Sequence, residues 1–169
     1  MKRIGLLSDT HGTISPKLFK FFESVDEIWH AGDIGNAETA DRIGEIKPLL
    51  AVYGNIDDHI VRRMYPETQR FFCEEVDVLI THIGGYPGKY EARVRNLFHI
   101  KAPQLFICGH SHILKVIYDQ KYKCLHINPG AAGNKGFHQV CTAVRFVIDG
   151  KTIKDLEVIE YEKAPFQEM

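Results

Sequence analysis

Five short stretches carry nearly all the side chains in this sequence that could do chemistry together: Asp9-Thr10-His11-Gly12, Gly32-Asp33, Gly54-Asn55-Ile56-Asp57, Thr81-His82 and Gly109-His110-Ser111-His112. They offer two carboxylates (Asp9, Asp33), one amide oxygen (Asn55) and four imidazoles (His11, His82, His110, His112). Asp9 and His11, like His110 and His112, are two residues apart. Over extended backbone that spacing points both side chains to one side, where they can grip one centre. Seven donors exceed the needs of one tetrahedral zinc but suit two metals sharing a carboxylate, for which Asp33 is the natural bridge. No cysteine stands among them, which argues against a structural zinc site. The wealth of imidazole argues against calcium or magnesium alone. Mn²⁺, Ni²⁺, Co²⁺, Fe or Zn²⁺ match the mixed nitrogen and oxygen set, with Mn²⁺ preferred. Two such cations, two carboxylates and a bridging hydroxide sum to about +1, a centre that attracts a phosphate oxyanion. Each stretch alone has an ordinary reading, as a packed strand histidine, a turn or a loop. Only their combination points to metal.

The elements that must position these residues are legible from hydrophobic pattern. Residues 3–8 read as a buried strand. Ser15-Pro16 supplies an N-cap followed by proline at the first helical position, with Leu18, Phe19 and Phe22 as the apolar stripe. Strands are expected over 26–30, 48–53, 70–74, 76–83 and 104–108, and helices over 36–46 and 90–98. Residues 114–118 and 122–127 read as a hairpin, as do 139–148 and 152–161 around Asp149-Gly150. Strand–helix alternation followed by hairpins implies an α/β body with a mixed sheet. Five of the β-type runs end in a ligand-type residue, and open α/β sheets bind ligands beyond the carboxyl ends of their strands.

Composition narrows the setting. Hydrophobic residues at 44% and charged residues at 25% are globular averages, which excludes a disordered or fibrous chain. A length of 169 residues fits one domain over 1–169. Lys+Arg 21 against Asp+Glu 22 gives no basic excess, so neither a membrane surface nor stable nucleic-acid binding is expected. The apolar runs are too short to span a bilayer, and no signal-peptide core follows Lys2-Arg3. Cys73, Cys108, Cys124 and Cys141 are scattered through strand-like stretches and read as small buried hydrophobes in a reducing cytoplasm. An oligomer of identical chains is compatible with all of this.

In order along the chain, the five motifs match those of the calcineurin-like metallophosphoesterase superfamily. The short length and Asn128-Pro129-Gly130 resemble its small YfcE-type phosphodiesterase branch. The resemblance implies a four-layer α/β/β/α sandwich with a dinuclear site at its edge. It implies Asp9, His11, Asp33 and His112 on one metal, and Asp33 as bridge with Asn55, His82 and His110 on the other. The catalytic role falls on Asp33, Asn55 and His82. His30 matches a frequent family histidine and is expected either to support the ligands or simply to pack. Asp57, completing Gly-Asn-x-Asp, is expected to orient a ligand, and Asp58 to be a solvated loop residue. The implied substrate is a small or nucleotide-like phosphodiester.

Two positions depart from the family pattern. Where phosphomonoesterase members carry a histidine that protonates the leaving group, this chain has Ile56. Where glycine usually follows the metal-binding histidine, it has Ile83, and Gly84-Gly85-Tyr86-Pro87-Gly88-Lys89 comes next. That stretch reads first as a flexible turn, and second as a substrate mouth with Lys89 near phosphate. His59, His99, His126 and His138 have no motif partner; His59 and His138 are the nearest alternative acids. The competing function is a non-catalytic interaction module, like the retromer subunit that shares this fold, but here every ligand position is filled. A phosphoprotein phosphatase is disfavoured by Ile56 and the small size.

Overall fold

The computed structural model describes residues 1–164. Along the chain the elements are β1 (Lys2–Leu7), α1 (Pro16–Phe21), β2 (Glu27–His30), α2 (Ala37–Ile46), β3 (Leu49–Ala51), α3 (His59–Met64), β4 (Thr68–Cys73), β5 (Val76–Thr81), β6 (Gly85–Tyr86), β7 (Lys89–Tyr90), α4 (Ala92–Lys101), β8 (Leu105–Ile107), β9 (Leu114–Asp119), β10 (Cys124–Pro129), β11 (Val140–Asp149) and β12 (Thr152–Glu162). They form two five-stranded sheets, ordered β12-β11-β1-β2-β3 and β4-β5-β8-β10-β9, with β6-β7 as a separate small ladder. In the first sheet β1, β2 and β3 run parallel, and in the second β5, β8 and β10 do. Parallel neighbours bring their carboxyl ends to one edge, and that edge carries the motifs.

The sheets face each other across one apolar layer. Ile4, Leu6, Trp29, Val144 and Phe146 of the first sheet meet Val78, Ile80, Ile107 and Ile127 of the second. Strand periodicity sends alternate residues outward, so Leu7 packs instead with Leu18 and Phe22 beside α1, and Ile43 of α2 joins the same cluster. Gly5 faces α1 too, because a Cβ there would meet the Phe22 ring. On the opposite side Val94 and Phe98 of α4 pack on Leu79 and Phe106. Buried on both faces, the central strands read as continuous apolar runs. The result is the expected four-layer α/β/β/α arrangement. No helix of the described residues is long and apolar enough to cross a membrane.

Most expected elements are present with small changes at their ends. Ser15 caps α1 by accepting from Lys17 N, and Asn36 caps α2 by accepting from Thr39 N. The helix expected over 90–98 starts later and runs to Lys101, since Tyr90 belongs to β7. Helix α3 was not expected. It is six residues long, and of its apolar side chains only Val61 is buried, so no amphipathic stripe marks it. Asp58, expected to be a solvated loop residue, is its N-cap and accepts from Ile60 N and Val61 N. Within the 84–89 stretch the turn is Pro87-Gly88, and it closes a two-rung ladder in which Gly85 pairs with Tyr90 and Tyr86 with Lys89.

Trp29, the chain's single tryptophan, contacts Phe71 of the second sheet edge-on at 5.1 Å and Phe146 at 6.0 Å between ring centroids. Replacing it with alanine should cost ~3–5 kcal/mol, read by circular dichroism in urea, with Trp29→Phe losing much less. An alanine variant of wild-type stability would mean that the two sheets do not depend on this contact.

Candidate metal centre

The loops that leave β1, β2, β3, β5 and β8 bring all seven expected donors to one edge. Six fall into two groups, each compact enough to hold a metal ion: Asp9, His11 and His112 in one, Asp33, His82 and His110 in the other. The seventh, Asn55, places its Oδ1 3.1 Å from His110 Nδ1 and so faces the second group. Asp33 lies between them. Its Oδ2 is 3.5 Å from His11 Nε2 and 3.1 Å from His82 Nε2, one imidazole from each group.

The local backbone differs from the expected extended one. Asp9, His11, Asp33, His110 and His112 all have left-handed φ, between 47° and 72°. His110 and His112 therefore diverge into different groups and do not grip one centre. Left-handed backbone is tolerated best by Gly, Asn, Asp and His among ordinary residues, and backbone hydrogen bonds hold it here. Asp9 N donates to Gly32 O, His11 N to Asp33 O and Gly12 N to Ile34 O, at 2.9–3.0 Å. Gly54 must lack a Cβ because one would overlap Asp33, and Gly109 because one would overlap Ser8 and Asp9.

The site's electrostatics follow from burial of its anions. Asp9 is fully buried and Asp33 is 2% exposed. Burial alone would raise the Asp9 carboxyl. Contacts from His11 and His112, the charge of His82 and the Ser8 hydroxyl outweigh it and hold Asp9 well below the carboxylate range. Ser8 Oγ donates to Asp9 Oδ2 at 2.7 Å, and His110 N donates to the same oxygen at 3.1 Å. His82 shows the same balance with the sign reversed: burial works to lower its imidazole, but Asp33 and Asp9 raise it. Its Nδ1 donates to Ala31 O at 2.8 Å, which leaves Nε2 as the nitrogen with a lone pair in the neutral ring. Nε2 of His82 and of His11 are both buried with no hydrogen-bond partner among the described residues. Unpartnered imidazole nitrogens aimed at two buried carboxylates fit divalent metal ions, which would satisfy both at once.

A surrounding layer fixes these groups. His30 is fully buried; its Nδ1 accepts from Gly32 N at 3.0 Å, so Nε2 carries the proton and donates to Thr10 Oγ1 at 2.9 Å. Thr10 Oγ1 in turn donates to Ile34 O, and the chain ties together the loops after β1 and β2. Asp57 acts on the backbone of the donor loops. Its carboxylate accepts from Gly54 N, Gly35 N and Ile34 N at 2.8, 2.9 and 3.2 Å, bracing the Asn55 loop against the Asp33 loop. Asn128, identified in sequence only as part of a motif, donates to Gly109 O and Ser111 Oγ and steadies the histidine pair. Ser8 and Thr10 carry no distinguishing sequence signal beyond adjacency to Asp9. Ile56 donates its backbone N–H to Asp33 Oδ1 at 3.1 Å, while its side chain is 46% exposed.

Of the two alternative acids, His59 begins α3 and is exposed. His138 stacks edge-on against His112 at 5.1 Å. Its Nε2 donates to Gly133 O, and burial lowers its imidazole, which disfavours the protonated form an acid needs. All four cysteines are free and buried. Burial pushes the thiols of Cys108 and Cys124 up to about 12, so they stay protonated and apolar in character.

Burial drives His30 down to about 3. Because the unfolded chain takes up a proton that the native His30 refuses, its contribution to stability falls as pH drops from about 6.5 toward 3, by about 1.4 kcal/mol per pH unit. His82 acts in the opposite sense: its contribution is full at low pH and is lost as pH rises through its raised value. Ring-nitrogen NMR should show His30 neutral, protonated at Nε2, down to about pH 4. Titration near 6.5 would refute the buried relay.

Comparison with known proteins bears on the family and the fold. The calcineurin-like phosphoesterase superfamily domain matches residues 1–151. A probable metallophosphoesterase of Methanothermobacter thermautotrophicus is 30% identical over 114 residues, 64% of this chain and 66% of that protein; the chain thus matches just under two-thirds of this relative's length. Among solved structures, Vps29 of Entamoeba histolytica complexed with Zn²⁺ superposes with a TM-score of 0.73 at 14% identity, covering 95% of this chain and 98% of that one. A novel archaeal phosphodiesterase gives 0.70 at 20% identity, covering 93% and 99%. At these identities the solved structures speak for the fold. With most of its length matched by the domain, and with the two donor groups at the edge of a four-layer sandwich, the chain belongs to the calcineurin-like phosphoesterase superfamily.

Proposed function

We propose that this chain is a metal-dependent phosphodiesterase acting on small or nucleotide-like diesters. In this reading Asp9, His11 and His112 hold one divalent metal ion, His82, His110 and Asn55 hold a second, and Asp33 bridges. The observation that carries it is Asp33 Oδ2, within 3.5 Å of an imidazole from each group. Mn²⁺ is the preferred occupant; the zinc of the Entamoeba neighbour makes Zn²⁺ a second candidate. When bound, two such ions supply Lewis acidity toward phosphoryl oxygens and an activated water. The protein's own residues keep the Asp9 carboxylate ionised and aim the imidazoles. Asp9 stays ionised through its hydrogen bonds, and His82 is held in place through Ala31.

Hydrolysis adds water across one P–O ester bond, and the departing oxygen leaves with a proton. A positioned acid at that oxygen is worth ~10²–10⁴-fold. Ile56, next to Asn55, has none to give. The site therefore suits leaving groups that need little help, such as aryl esters. A diester also carries one negative charge fewer than a monoester dianion, so less charge has to be matched at the centre.

Metal content, stability and substrate preference test this reading. Elemental analysis of metal-loaded protein should find about two ions per chain, and chelation should abolish activity that Mn²⁺ restores. Each donor group joins both sheets, so metal should also stabilise the fold, raising Tm by roughly 5–10 °C at a hundredfold excess over Kd. Asp33→Ala should lose both the activity and this rise while keeping a native circular dichroism spectrum, and His82→Ala should lose activity with a smaller effect on metal content. Bis(p-nitrophenyl) phosphate should be cleaved with higher kcat/KM than p-nitrophenyl phosphate, with Ile56→His raising the monoester rate by ~10–10²-fold. A wild-type preference for the monoester would refute the role given to Ile56. A metal-loaded protein inactive on every ester would point to the interaction module.

A further inference from the structure

Beside the candidate centre, on the side of the second sheet, lies a cleft of about 660 Å³. That is the size of a small-molecule site. His110 opens onto it, so whatever occupies the cleft is adjacent to a phosphate held at the centre. One wall is the β6–β7 ladder, tied to the body of the fold at its base. Gly84 O accepts from Glu91 N at 3.1 Å, and a Cβ on Gly84 would press into Phe106 and Cys108. Tyr86 stands on this wall, 44% exposed, with Lys115 Nζ 4.5 Å from its ring centroid. Lys89 stands on the same ladder and also lines the cleft.

The floor holds a polar group that the proposed chemistry does not use. His126 lines the cleft yet is only 1% exposed, flanked by Phe106 and Tyr90 at 5.7 and 6.3 Å. Its Nδ1 is buried without a partner among the described residues. Burial, reinforced by the charge of Lys115, lowers the imidazole to about 4. At neutral pH it therefore presents one N–H and one lone pair. Buried polar atoms are normally satisfied, and a heterocycle with ring nitrogens or carbonyls would satisfy this one. The aromatic wall favours a planar ring, and the two lysines favour electron-rich substituents on it.

We infer that this cleft receives the base of a nucleoside-type ester group, seated between Tyr86 and His126 with its phosphate at His110. The inference rests on the phosphodiesterase reading and names its substrate class. Its test is chosen so that the two can fail separately. Adenosine and ribose, neither carrying phosphate, are titrated into the ¹⁵N-labelled full chain. Adenosine should shift the amide signals of Gly84, Gly85 and Lys115 and the ring nitrogens of His126, and ribose should leave them in place. Tyr86→Ala and His126→Phe, the latter close in shape to the native ring, should each weaken adenosine binding about tenfold or more. Equal shifts from ribose and adenosine, or adenosine shifts confined to residues outside the cleft, would overturn the inference. Hydrolysis of bis(p-nitrophenyl) phosphate by a protein that ignores adenosine would refute the cleft assignment alone. Adenosine binding by a metal-loaded protein with no diesterase activity would support the cleft and refute the reaction.

Discussion

The arrangement of this molecule depends on burying two acidic side chains, Asp9 and Asp33, at one edge. Burying an ion carries an effective penalty of several kcal/mol unless partners compensate it. The compensation comes from both sheets. Ser8 and His11 lie beside β1, whereas His82, His110 and His112 follow β5 and β8. Neither sheet could satisfy the pair alone, so the carboxyl edges of the two parallel trios must coincide. The apolar layer around Trp29 sets that alignment, and the edge chemistry in turn favours it. A metal ion at either donor group would strengthen the same link, since each group draws from both sheets.

The second constraint is the left-handed backbone at five of the seven donors. Each such residue costs ~1–2 kcal/mol relative to ordinary helical or extended backbone, and the surroundings over-determine it. The loops after β1 and β2 bond to each other as though the parallel ladder continued without regular strands. His30, Thr10 and Asp57 then pin those loops from behind through bonds that commit every polar atom involved. The sharp turns have a geometric use. They let side chains two residues apart leave in different directions, which is how one short motif serves two donor groups.

Most of the fold could be read from the chain because the strands buried on both faces, such as 76–81 and 105–107, are continuous apolar runs with polar residues at their ends. Capping residues marked α1 and α2 for the same local reason. The donor set was legible because Asp, Asn and His at strand ends are conspicuous against apolar strands. What escaped was set by tertiary contacts. Helix α3 has one buried residue, and its cap, Asp58, looks like any loop aspartate. The β6–β7 ladder is held at its base by the packing of Gly84 on Phe106 and by Glu91 N, contacts that no local pattern announces. Residues two apart share a side only on extended backbone, and His110 and His112 instead have φ of 72° and 63°. His126 and His138 lacked motif neighbours in sequence, and only folding brings them beside the centre.

The exposed surroundings of the centre contrast with its interior. Ile56, Ile83 and Ile113 are 46%, 38% and 62% exposed, and all three adjoin donors or the cleft beside them. Large apolar side chains placed around a charged centre exclude water from whatever docks there, and lower dielectric strengthens every charge interaction inside. They also supply no donor or cation to a second negative charge. In the proposed reaction, such a rim would discriminate by what it fails to offer. A monoester dianion would find no cation on the isoleucine side of the centre, while a diester would present its extra ester group to isoleucine and to the aromatic cleft. Selectivity of this kind needs no residue that recognises the favoured substrate's phosphate more strongly. It follows from an apolar boundary drawn close around two buried anions and the ions they are built to hold.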